Sequence, residues 1–381
     1  MNPVKPHKLS KGRLSAEWKA VYHALRLNVP FVAYVKPEES VSKVHFMAEL
    51  PGRQSISDIK FLINFWNEPF ETCVVIRDTI SVADFLEDLP ESPLDSPTDV
   101  LPYTSSTPQL LHKGQVMSIV DDLKNSEDVL PGKTVLSRIE CGSITDEDMT
   151  ATWLEVIYNY FKELPGTFRY VYYTPDTACW LGASPELLLD VDKNTGDSHT
   201  MSLAGTCDLT RSWDEKNNSE HDLVTLYIMK TLNEFDIKFT HSSAADVKFA
   251  FSKHLCDIFD FNIGDIKIPQ LLNALSPTPA LAGMPVQESI ERISHLELHQ
   301  RYCYGGYITL DSPEYFSAYV NIRCMHFYDN HYCVYAGGGI MKESKPESEW
   351  NETTKKSEML RCMLSVAKCL LTSSESKESK K

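Results

Sequence analysis

The sequence lacks the features that mark membrane, secreted and zinc-binding proteins. It has no run of the roughly 20 apolar residues that a membrane-spanning helix needs, and its first residues, MNPVKPHKLSKGRLSAEW, lack the apolar core of a signal peptide. None of its ten cysteines stands in a Cys-x-x-Cys pair, which zinc sites and thiol redox centres commonly use. We therefore expect a cytoplasmic protein with reduced thiols and no membrane partner.

Basic residues are also scarce relative to acidic ones. The chain has 37 Lys and Arg against 53 Asp and Glu, which gives a formal net charge of −16 at pH 7. Such a surface repels phosphate backbones, so nucleic acid is not an expected partner. Hydrophobic side chains make up 42% of the 381 residues, enough to bury a large core. Only the polar tail, residues 372–381, is predicted to be disordered.

Helical and strand periodicities alternate along the chain, which predicts a mixture of α and β structure. An amphipathic helix is predicted before Pro30, and apolar runs predict strands at 31–35 and 44–50. Further helices are predicted over 115–123, 152–162, 219–232 and 346–371, and further strands over 73–76, 167–173 and 315–325. Five prolines between residues 86 and 109 predict a loop, either a surface insertion or a substrate lid.

Three glutamates stand near predicted helix starts. Glu220 is expected in a first turn, where the helix dipole alone favours an acidic residue by about 0.3–1 kcal/mol. Glu349 and Glu352 follow the capping-box pattern Ser344-Lys345-Pro346-Glu347 and share nearly one helix face. Because like charges at this spacing repel each other, a cation is expected near them, either Lys356 or a bound metal ion.

Several other patterns have ordinary structural interpretations when each is taken alone. The triplet Gly337-Gly338-Gly339 follows a strand, and with φ > 0 it would turn successive N–H groups toward an anion, although a tight turn explains it as well. Glu186 follows a turn at the start of a strand, Lys133 opens a strand, and Arg323 is expected on the open face of the strand 315–325. Ala204-Gly205-Thr206 is a small-residue segment that a ligand could approach closely.

The order of these patterns resembles the chorismate-utilising enzymes, which include isochorismate synthase, salicylate synthase, anthranilate synthase component I and aminodeoxychorismate synthase component I. The resemblance runs from Lys133 to Lys356, well over half the chain. It rests on ten strings in the family's order: KTVLSR, GASPELLL, LAGT, EH, His254-Leu255, LSPTPALAGMP, Glu297-x-x-x-Arg301-x-x-Tyr304-x-Gly306, NIR, YAGGGI and SKPESEWNETTKK.

This resemblance implies a fold and a set of ligand-binding positions. The implied fold is one α+β domain over 1–371, with two large antiparallel β-sheets stacked at its centre and helices outside; the motifs occupy about 110–371, and residues 1–110 belong to the same body. Glu220 and Glu352 match the positions that bind Mg²⁺, with Glu349 beside them, and Mg²⁺ prefers such oxygen ligands. Arg323 would bind the enolpyruvyl carboxylate of chorismate. The other positions implied to line the pocket are Ala204, Gly205, Thr206, Gly337, Gly338, Gly339 and Lys356.

The same resemblance assigns the proton-transfer groups. Glu186 stands at the place of the acid that protonates the departing C4 hydroxyl, which requires burial to raise its pKa. Lys133 matches the lysine that activates water in isochorismate and salicylate synthases, whereas anthranilate synthases carry glutamine there. Ala204 stands where aminodeoxychorismate synthases carry the lysine that attacks the ring. The implied activity is therefore that of an isochorismate synthase, a monomer or homodimer without a glutamine amidotransferase subunit.

The sequence leaves rival functions open and departs from the family pattern at several positions. Salicylate synthase, anthranilate synthase component I and a non-catalytic binding subunit are the rival functions, and the product would feed either menaquinone or siderophore synthesis. Ser276 replaces the histidine usual before PTPA, Asp257 replaces a threonine, and Thr309 replaces a glycine. These changes affect the surroundings of the pocket and leave the predicted metal ligands, acid and base in place.

Overall fold

The computed structural model describes residues 14–50, 52, 58–77, 80–94, 105–126, 132–210, 212–249 and 252–378. Within these ranges the helices are α1 (Ala16–Leu27), α2 (Val82–Glu87), α3 (Gln109–Asn125), α4 (Met149–Glu163), α5 (Glu215–Glu234), α6 (Ile268–Leu275), α7 (Val286–Leu296) and α8 (Pro346–Glu378). The strands are β1 (Phe31–Val35), β2 (His45–Ala48), β3 (Lys60–Ile63), β4 (Val74–Arg77), β5 (Lys133–Ser143), β6 (Phe168–Thr174), β7 (Ala178–Ser184), β8 (Leu187–Asp192), β9 (Asp197–Asp208), β10 (Phe239–Phe249), β11 (Ser252–Asn262), β12 (Gly283–Met284), β13 (Tyr307–Asp311), β14 (Tyr315–Val320), β15 (Cys324–Tyr328) and β16 (His331–Ile340).

These strands form two eight-stranded antiparallel sheets, which confirms the predicted α+β architecture. The first sheet has the order β12-β5-β16-β15-β7-β6-β1-β2, and the second has the order β10-β11-β9-β8-β14-β13-β3-β4. The N-terminal part of the chain contributes β1 and β2 to the first sheet and β3 and β4 to the second.

The sheets stack face to face because both faces of their strands are apolar. In β1, Val32 and Tyr34 point into the core between the sheets, where they meet Phe61 and Ile308 of the second sheet. The alternate residues of β1 pack on the opposite face, under α1, α4 and α8, with Trp18 of α1 among their contacts. Burying each such side chain contributes about 1.5–3 kcal/mol, so the sandwich is held mainly by these layers. Helices α5 and α6 cover the outer face of the second sheet.

The structure corrects the strand predicted over 315–325. This segment forms two strands in different sheets, because the chain crosses from β14 to β15 at Asn321-Ile322-Arg323. Arg323 has φ 51°, a left-handed conformation directly before β15 begins. Asn321 holds the crossing, since its side chain donates to the carbonyl of Cys303 (2.9 Å) and accepts from the hydroxyl of Tyr170 (2.7 Å). Arg323 therefore lies between the two sheets rather than on the open face of a strand.

Helix bounds also differ from the sequence predictions. Helix α5 begins at Glu215, with Asp214 as its N-cap, so Glu220 lies in the second turn rather than the first. Helix α8 continues to Glu378 and includes most of the tail that was predicted to be disordered, while residues 379–381 lie outside the described residues. Much of the proline-rich loop, residues 95–104, also lies outside them, so its interpretation as insertion or lid stays a prediction. None of the described helices is long and apolar enough to cross a membrane.

Candidate active site

A cleft opens where β16 of the first sheet approaches β8 and β9 of the second, beside the crossing at Arg323. Its empty space, including the part open to solvent, is about 680 Å³. Ten predicted site residues line it: Glu186, Ala204, Gly205, Thr206, Glu220, Arg323, Gly337, Gly338, Gly339 and Lys356. The other three, Lys133, Glu349 and Glu352, lie next to its glycine wall.

The glycine triplet forms that wall as part of a regular strand. Gly337, Gly338 and Gly339 pair with Ser137, Leu136 and Val135 of β5. None of the three has a positive φ, so the predicted anion-binding turn is wrong. The reason for glycine is close approach. A Cβ atom on Gly339 would overlap Oε1 of Glu220 and lie 2.7 Å from Cε of Lys133, and one on Gly337 would lie 2.6 Å from the hydroxyl of Tyr304.

The strand still presents backbone groups to the cleft. The carbonyl of Gly337 accepts a hydrogen bond from Nζ of Lys356 (3.0 Å), so it points away from β5. In a strand the N–H and C=O of one residue point to the same side, and every second residue repeats that direction. The N–H groups of Gly337 and Gly339 therefore both face away from β5.

Each predicted metal-binding carboxylate is paired with a lysine. The pairs are Glu220 with Lys133 (2.9 Å), Glu349 with Lys216 (2.7 Å) and Glu352 with Lys356 (2.8 Å). Lys356 is thus the cation that the spacing on α8 predicts. Lys216 was not predicted from the sequence, although it lies four residues before Glu220 and so on the same face of α5.

Glu220 and Lys133 form a buried pair at the base of the cleft. Lys133 is 0% exposed, and its backbone is fixed where the hydroxyl of Ser289 donates to its carbonyl (2.8 Å). The Nζ–Oε1 contact is short, but its angle falls outside hydrogen-bonding geometry. Burial opposes ionisation of Glu220, yet Lys133, with Lys216 and Lys356, lowers its pKa to about 2. Glu220 is therefore a carboxylate at neutral pH.

The two carboxylate oxygens of Glu349 differ in their surroundings, and Oε1 is the one that contacts Lys216. Its Oε2 is buried without a hydrogen bond of good geometry, although the hydroxyl of Ser344 lies near this carboxylate. Burial, together with the like charge of Glu352, raises its pKa against the effect of Lys216. The three carboxylates converge on the glycine wall, and their oxygens are ligands that Mg²⁺ prefers. Within the described residues no three side chains of His, Cys, Asp or Glu already lie close enough to hold a metal ion, so its binding requires these side chains to shift.

Glu186 also lies in the cleft, but it differs from the three lysine-paired glutamates in its surroundings. It is only 3% exposed, and its Oε1 has no hydrogen-bond partner. Burial raises its pKa to about 8, even though Lys133 and Lys356 act in the opposite direction. Its backbone carbonyl accepts from the N–H of Val320 (3.0 Å), which fixes the start of β8 against β14. Glu186 and Glu220 thus differ in protonation within one site, a pattern typical of acid–base catalysis.

Arg323 presents a positive charge to the cleft. Its carbonyl is held by the hydroxyl of Tyr160 (2.5 Å) and the N–H of Ala183 (3.3 Å), which fixes the left-handed backbone. Among the described residues no carboxylate forms an ion pair with its guanidinium, whose nearest polar contact is Nε2 of His254 at 3.4 Å. Burial lowers the pKa of His254 to about 3, so this imidazole is neutral, and with Nδ1 3.0 Å from the carbonyl of Gly205 its Nε2 is left to accept from Arg323. A neutral acceptor leaves the positive charge of Arg323 uncancelled.

The wall opposite the glycines is a bulge in β9. Pairing between β9 and β11 shifts register at this point, opposite His254, and Gly205 takes φ 69° there. The carbonyl of Gly205 lies 3.0 Å from Nδ1 of His254, and the N–H of Thr206 donates to the side chain of Asn217 (3.0 Å). The bulge therefore ties the pocket wall to helix α5, which carries Glu220.

Four residues of the site were not assigned from the sequence. Lys216 was not singled out at all, whereas His254, Tyr304 and Tyr335 stand in the motif strings without a predicted role in the site. Tyr304 and Tyr335 line the cleft and stack with 5.4 Å between ring centroids. Helical spacing from Glu220 could have identified Lys216, whereas the tyrosines lie on strands and loops that only the fold brings together.

The fold and the cleft define a class of two-sheet α+β protein in which a buried arginine and a cluster of carboxylates surround one cleft between the sheets. The chain belongs to the chorismate binding enzyme family, whose sequence model matches residues 58–365.

Named relatives agree with this family assignment. Isochorismate synthase EntC of Escherichia coli strain K12 is 34% identical over 195 residues, which cover 47% of this chain and 49% of that protein. Isochorismate synthase MenF of Pasteurella multocida is 28% identical over 211 residues, covering 50% and 48%. The chain thus spans about half the length of the curated relatives it matches.

Solved structures match over most of the chain. MenF, the menaquinone-specific isochorismate synthase from Escherichia coli, has a TM-score of 0.71 at 18% identity and covers 94% of this chain and 93% of its own. Anthranilate synthase component I from Streptococcus pneumoniae has a TM-score of 0.63 at 17% identity, covering 87% and 92%. At these identities the two structures establish a shared fold.

Proposed function

We propose that this chain is a Mg²⁺-dependent isochorismate synthase, which converts chorismate to isochorismate. The observation that carries the proposal is the placement of Lys133 and Glu220 beside Gly339 in the cleft that also contains the buried carboxyl of Glu186. Relatives named as isochorismate synthases add support, since two of them match about half of the chain.

Chorismate carries two carboxylates, and the cleft offers two places for them. Arg323, free of carboxylate partners among the described residues, would bind the enolpyruvyl carboxylate with its planar fork of donors. The N–H groups of Gly337 and Gly339 would add neutral donors. Glu220, Glu349 and Glu352 would hold Mg²⁺, which would cancel the charge of the ring carboxylate and help to bind it.

Glu186 would supply the acid. With its pKa raised to about 8 by burial, the carboxyl carries its proton at neutral pH and would transfer it to the C4 oxygen as that hydroxyl leaves as water. Its fixed backbone at the start of β8 would hold the proton at a constant position across the cleft.

Lys133 would act as the base. It would take a proton from water as the water oxygen adds at C2, and this step requires the neutral amine. The carboxylate of Glu220 favours the charged amine, so the proposal needs Glu220 to be drawn from Lys133 to Mg²⁺ when the site is loaded. The proton taken at C2 and the proton given at C4 balance, so the reaction is an isomerisation with no net consumption of water. Ala204 lines the same cleft and offers no amine to attack the ring.

Product identification tests this proposal. The purified chain is incubated with chorismate and Mg²⁺, with and without ammonium, and the products are separated by chromatography. Isochorismate in both mixtures is the expected result, and Lys133→Ala should abolish it. Salicylate would indicate a further elimination of pyruvate, and anthranilate formed only with ammonium would indicate the ammonia-using reaction. Absence of any product from the folded protein would refute an enzymatic role.

A further inference from the structure

Two cysteines stand directly opposite each other on the strands that form one wall of the active site. Cys141 of β5 pairs with Cys333 of β16 in the antiparallel register. Neither residue lines the cleft or takes part in the proposed reaction.

The hydrogen bonds of β5 define the type of this pair. In an antiparallel ladder, directly opposite residues alternate between pairs that exchange backbone hydrogen bonds and pairs that do not. On β5 the N–H groups of every second residue point away from β16 and donate to side chains: Ser137 to Glu297 (2.6 Å), Ile139 to Thr107 (3.1 Å) and Cys141 to Ser106 (2.9 Å). Cys141 and Cys333 are therefore a non-hydrogen-bonded pair.

This type of pair brings side chains closest together. Its Cα atoms are about 4.5 Å apart, and both side chains point to the same face of the sheet. A disulfide needs Cα atoms about 4.4–6.8 Å apart, so the backbone already satisfies the requirement without moving. The two thiols therefore project from directly opposite positions, and the interaction with Cys333 is the largest cause of the lowered pKa of the Cys141 thiol.

The two thiols differ in exposure and acidity. Cys141 is partly exposed, whereas Cys333 is only 1% exposed. The hydrogen bond from Cys333 lowers the pKa of the Cys141 thiol, and the same contact, with burial, raises the pKa of Cys333. Cys141 is thus the more accessible and more reactive thiol toward a small oxidant. Cys333, directly opposite, lies where it can attack the oxidised sulfur of Cys141.

We propose that Cys141 and Cys333 are a redox modification site, at which hydrogen peroxide forms a reversible disulfide across β5 and β16. The Cys141 thiolate attacks one peroxide oxygen, forms an S–O bond, breaks the O–O bond and releases hydroxide. The Cys333 sulfur then attacks Cys141 Sγ, and the sulfenic oxygen leaves as water with the thiol proton. The hydroxide takes up the proton that Cys141 released on forming its thiolate. Both sulfurs are thus oxidised by one electron each, and the peroxide is reduced to two waters.

The disulfide would cross-link β5, which carries Lys133, to β16, which carries the glycine wall. It would close a loop of about 190 residues, which restricts the unfolded chain strongly. For a chain of this size the expected rise in Tm is about 5 °C. Tyr335, which lines the cleft, lies two residues along β16 from Cys333, about 7 Å. Because the bond needs no movement of the backbone, we expect the cleft to keep its shape.

The full chain, reduced and then treated with hydrogen peroxide, tests the proposal. Free thiols are blocked with N-ethylmaleimide, and the protein is digested without reductant and examined by mass spectrometry. A linked peptide that joins Cys141 to Cys333, with a rise in Tm that dithiothreitol reverses, is expected. Cys141→Ser should abolish both effects, whereas Cys362→Ser, which removes another partly exposed thiol on α8, should retain both.

Three outcomes would overturn the proposal. The first is a sulfinic or sulfonic acid on Cys141 while Cys333 keeps its free thiol. The second is a disulfide that joins either residue to another cysteine, and the third is recovery of both as unmodified thiols after peroxide treatment. The mass spectrum of the wild-type protein distinguishes these outcomes without any substitution at the buried Cys333.

Discussion

Substitution of Gly339 by alanine is the most direct test of the geometry around the proposed base. The added methyl group would overlap Oε1 of Glu220 and lie 2.7 Å from Cε of Lys133, far inside the 3.5–4.0 Å of a normal contact between carbon atoms. Lys133 is fully buried, and the 2.9 Å ion pair joins it to Glu220. One of the two side chains must therefore move by about 1 Å, and a displacement of that size at a reacting group costs on the order of 10²-fold in rate.

Gly338→Ala is the matched control for this substitution. It adds the same methyl group to the same strand, but the nearest atoms, Oε2 of Glu349 and Cγ2 of Thr353, lie 3.6 Å away at ordinary contact distance. Turnover of chorismate at saturating Mg²⁺ is measured for both variants, and Tm reports whether each protein is folded. We expect Gly339→Ala to lose most of its rate and Gly338→Ala to retain most of it. Equal rates in the two folded variants would refute the assigned crowding.

Three further predictions concern the charges of the site. The pKa of Glu186 is about 8 in the folded protein, against an ordinary value of 4.5, so the free energy of unfolding should fall as the pH rises between these values, by up to about 1.4 kcal/mol per pH unit. Glu186→Gln should flatten this pH dependence in denaturation curves and lose turnover. An unchanged slope in the variant would contradict the assigned burial. Lys133→Gln should abolish isochorismate formation while calorimetry still detects Mg²⁺ binding, and retained turnover would remove the proposed base. Lys216→Met should tighten Mg²⁺ binding by at least about tenfold in calorimetry without substrate, because it frees Glu349 from an ammonium at 2.7 Å; weaker binding would contradict this competition.

The sequence predicted the architecture and most members of the cleft, but not how the members are held. Spacing on one helix was sufficient to place Lys356 next to Glu352, because residues four apart share a face. Arg323 was expected on a continuous strand, since the apolar alternation of 315–325 runs across the crossing without interruption. Only the left-handed φ at Arg323 and the buried hydrogen bonds of Asn321 reveal that the chain changes sheets there.

The glycine triplet was predicted correctly to line the site, but the structural reason predicted for its glycines was wrong. From sequence, three glycines indicate backbone freedom, and a turn of positive φ follows naturally. In the structure the same residues are extended, and what matters is the absence of Cβ atoms at Gly337 and Gly339, whose places are taken by Tyr304 and Glu220. That reason depends on side chains from distant segments, so no local pattern could have supplied it.

The three lysines explain how an acidic cluster can exist in a buried site. Burying Glu220 or Glu349 as an isolated carboxylate would cost desolvation free energy, and the three carboxylates, with Glu352, would repel one another. One ammonium on each carboxylate balances that charge in the described residues. If a divalent ion shared the three carboxylates, this balance would change, and at least one lysine would lose its partner. Lys216 is the lysine best placed to give way, since Lys133 and Lys356 have proposed roles toward water and substrate, whereas Lys216 has none beyond its ion pair with Glu349.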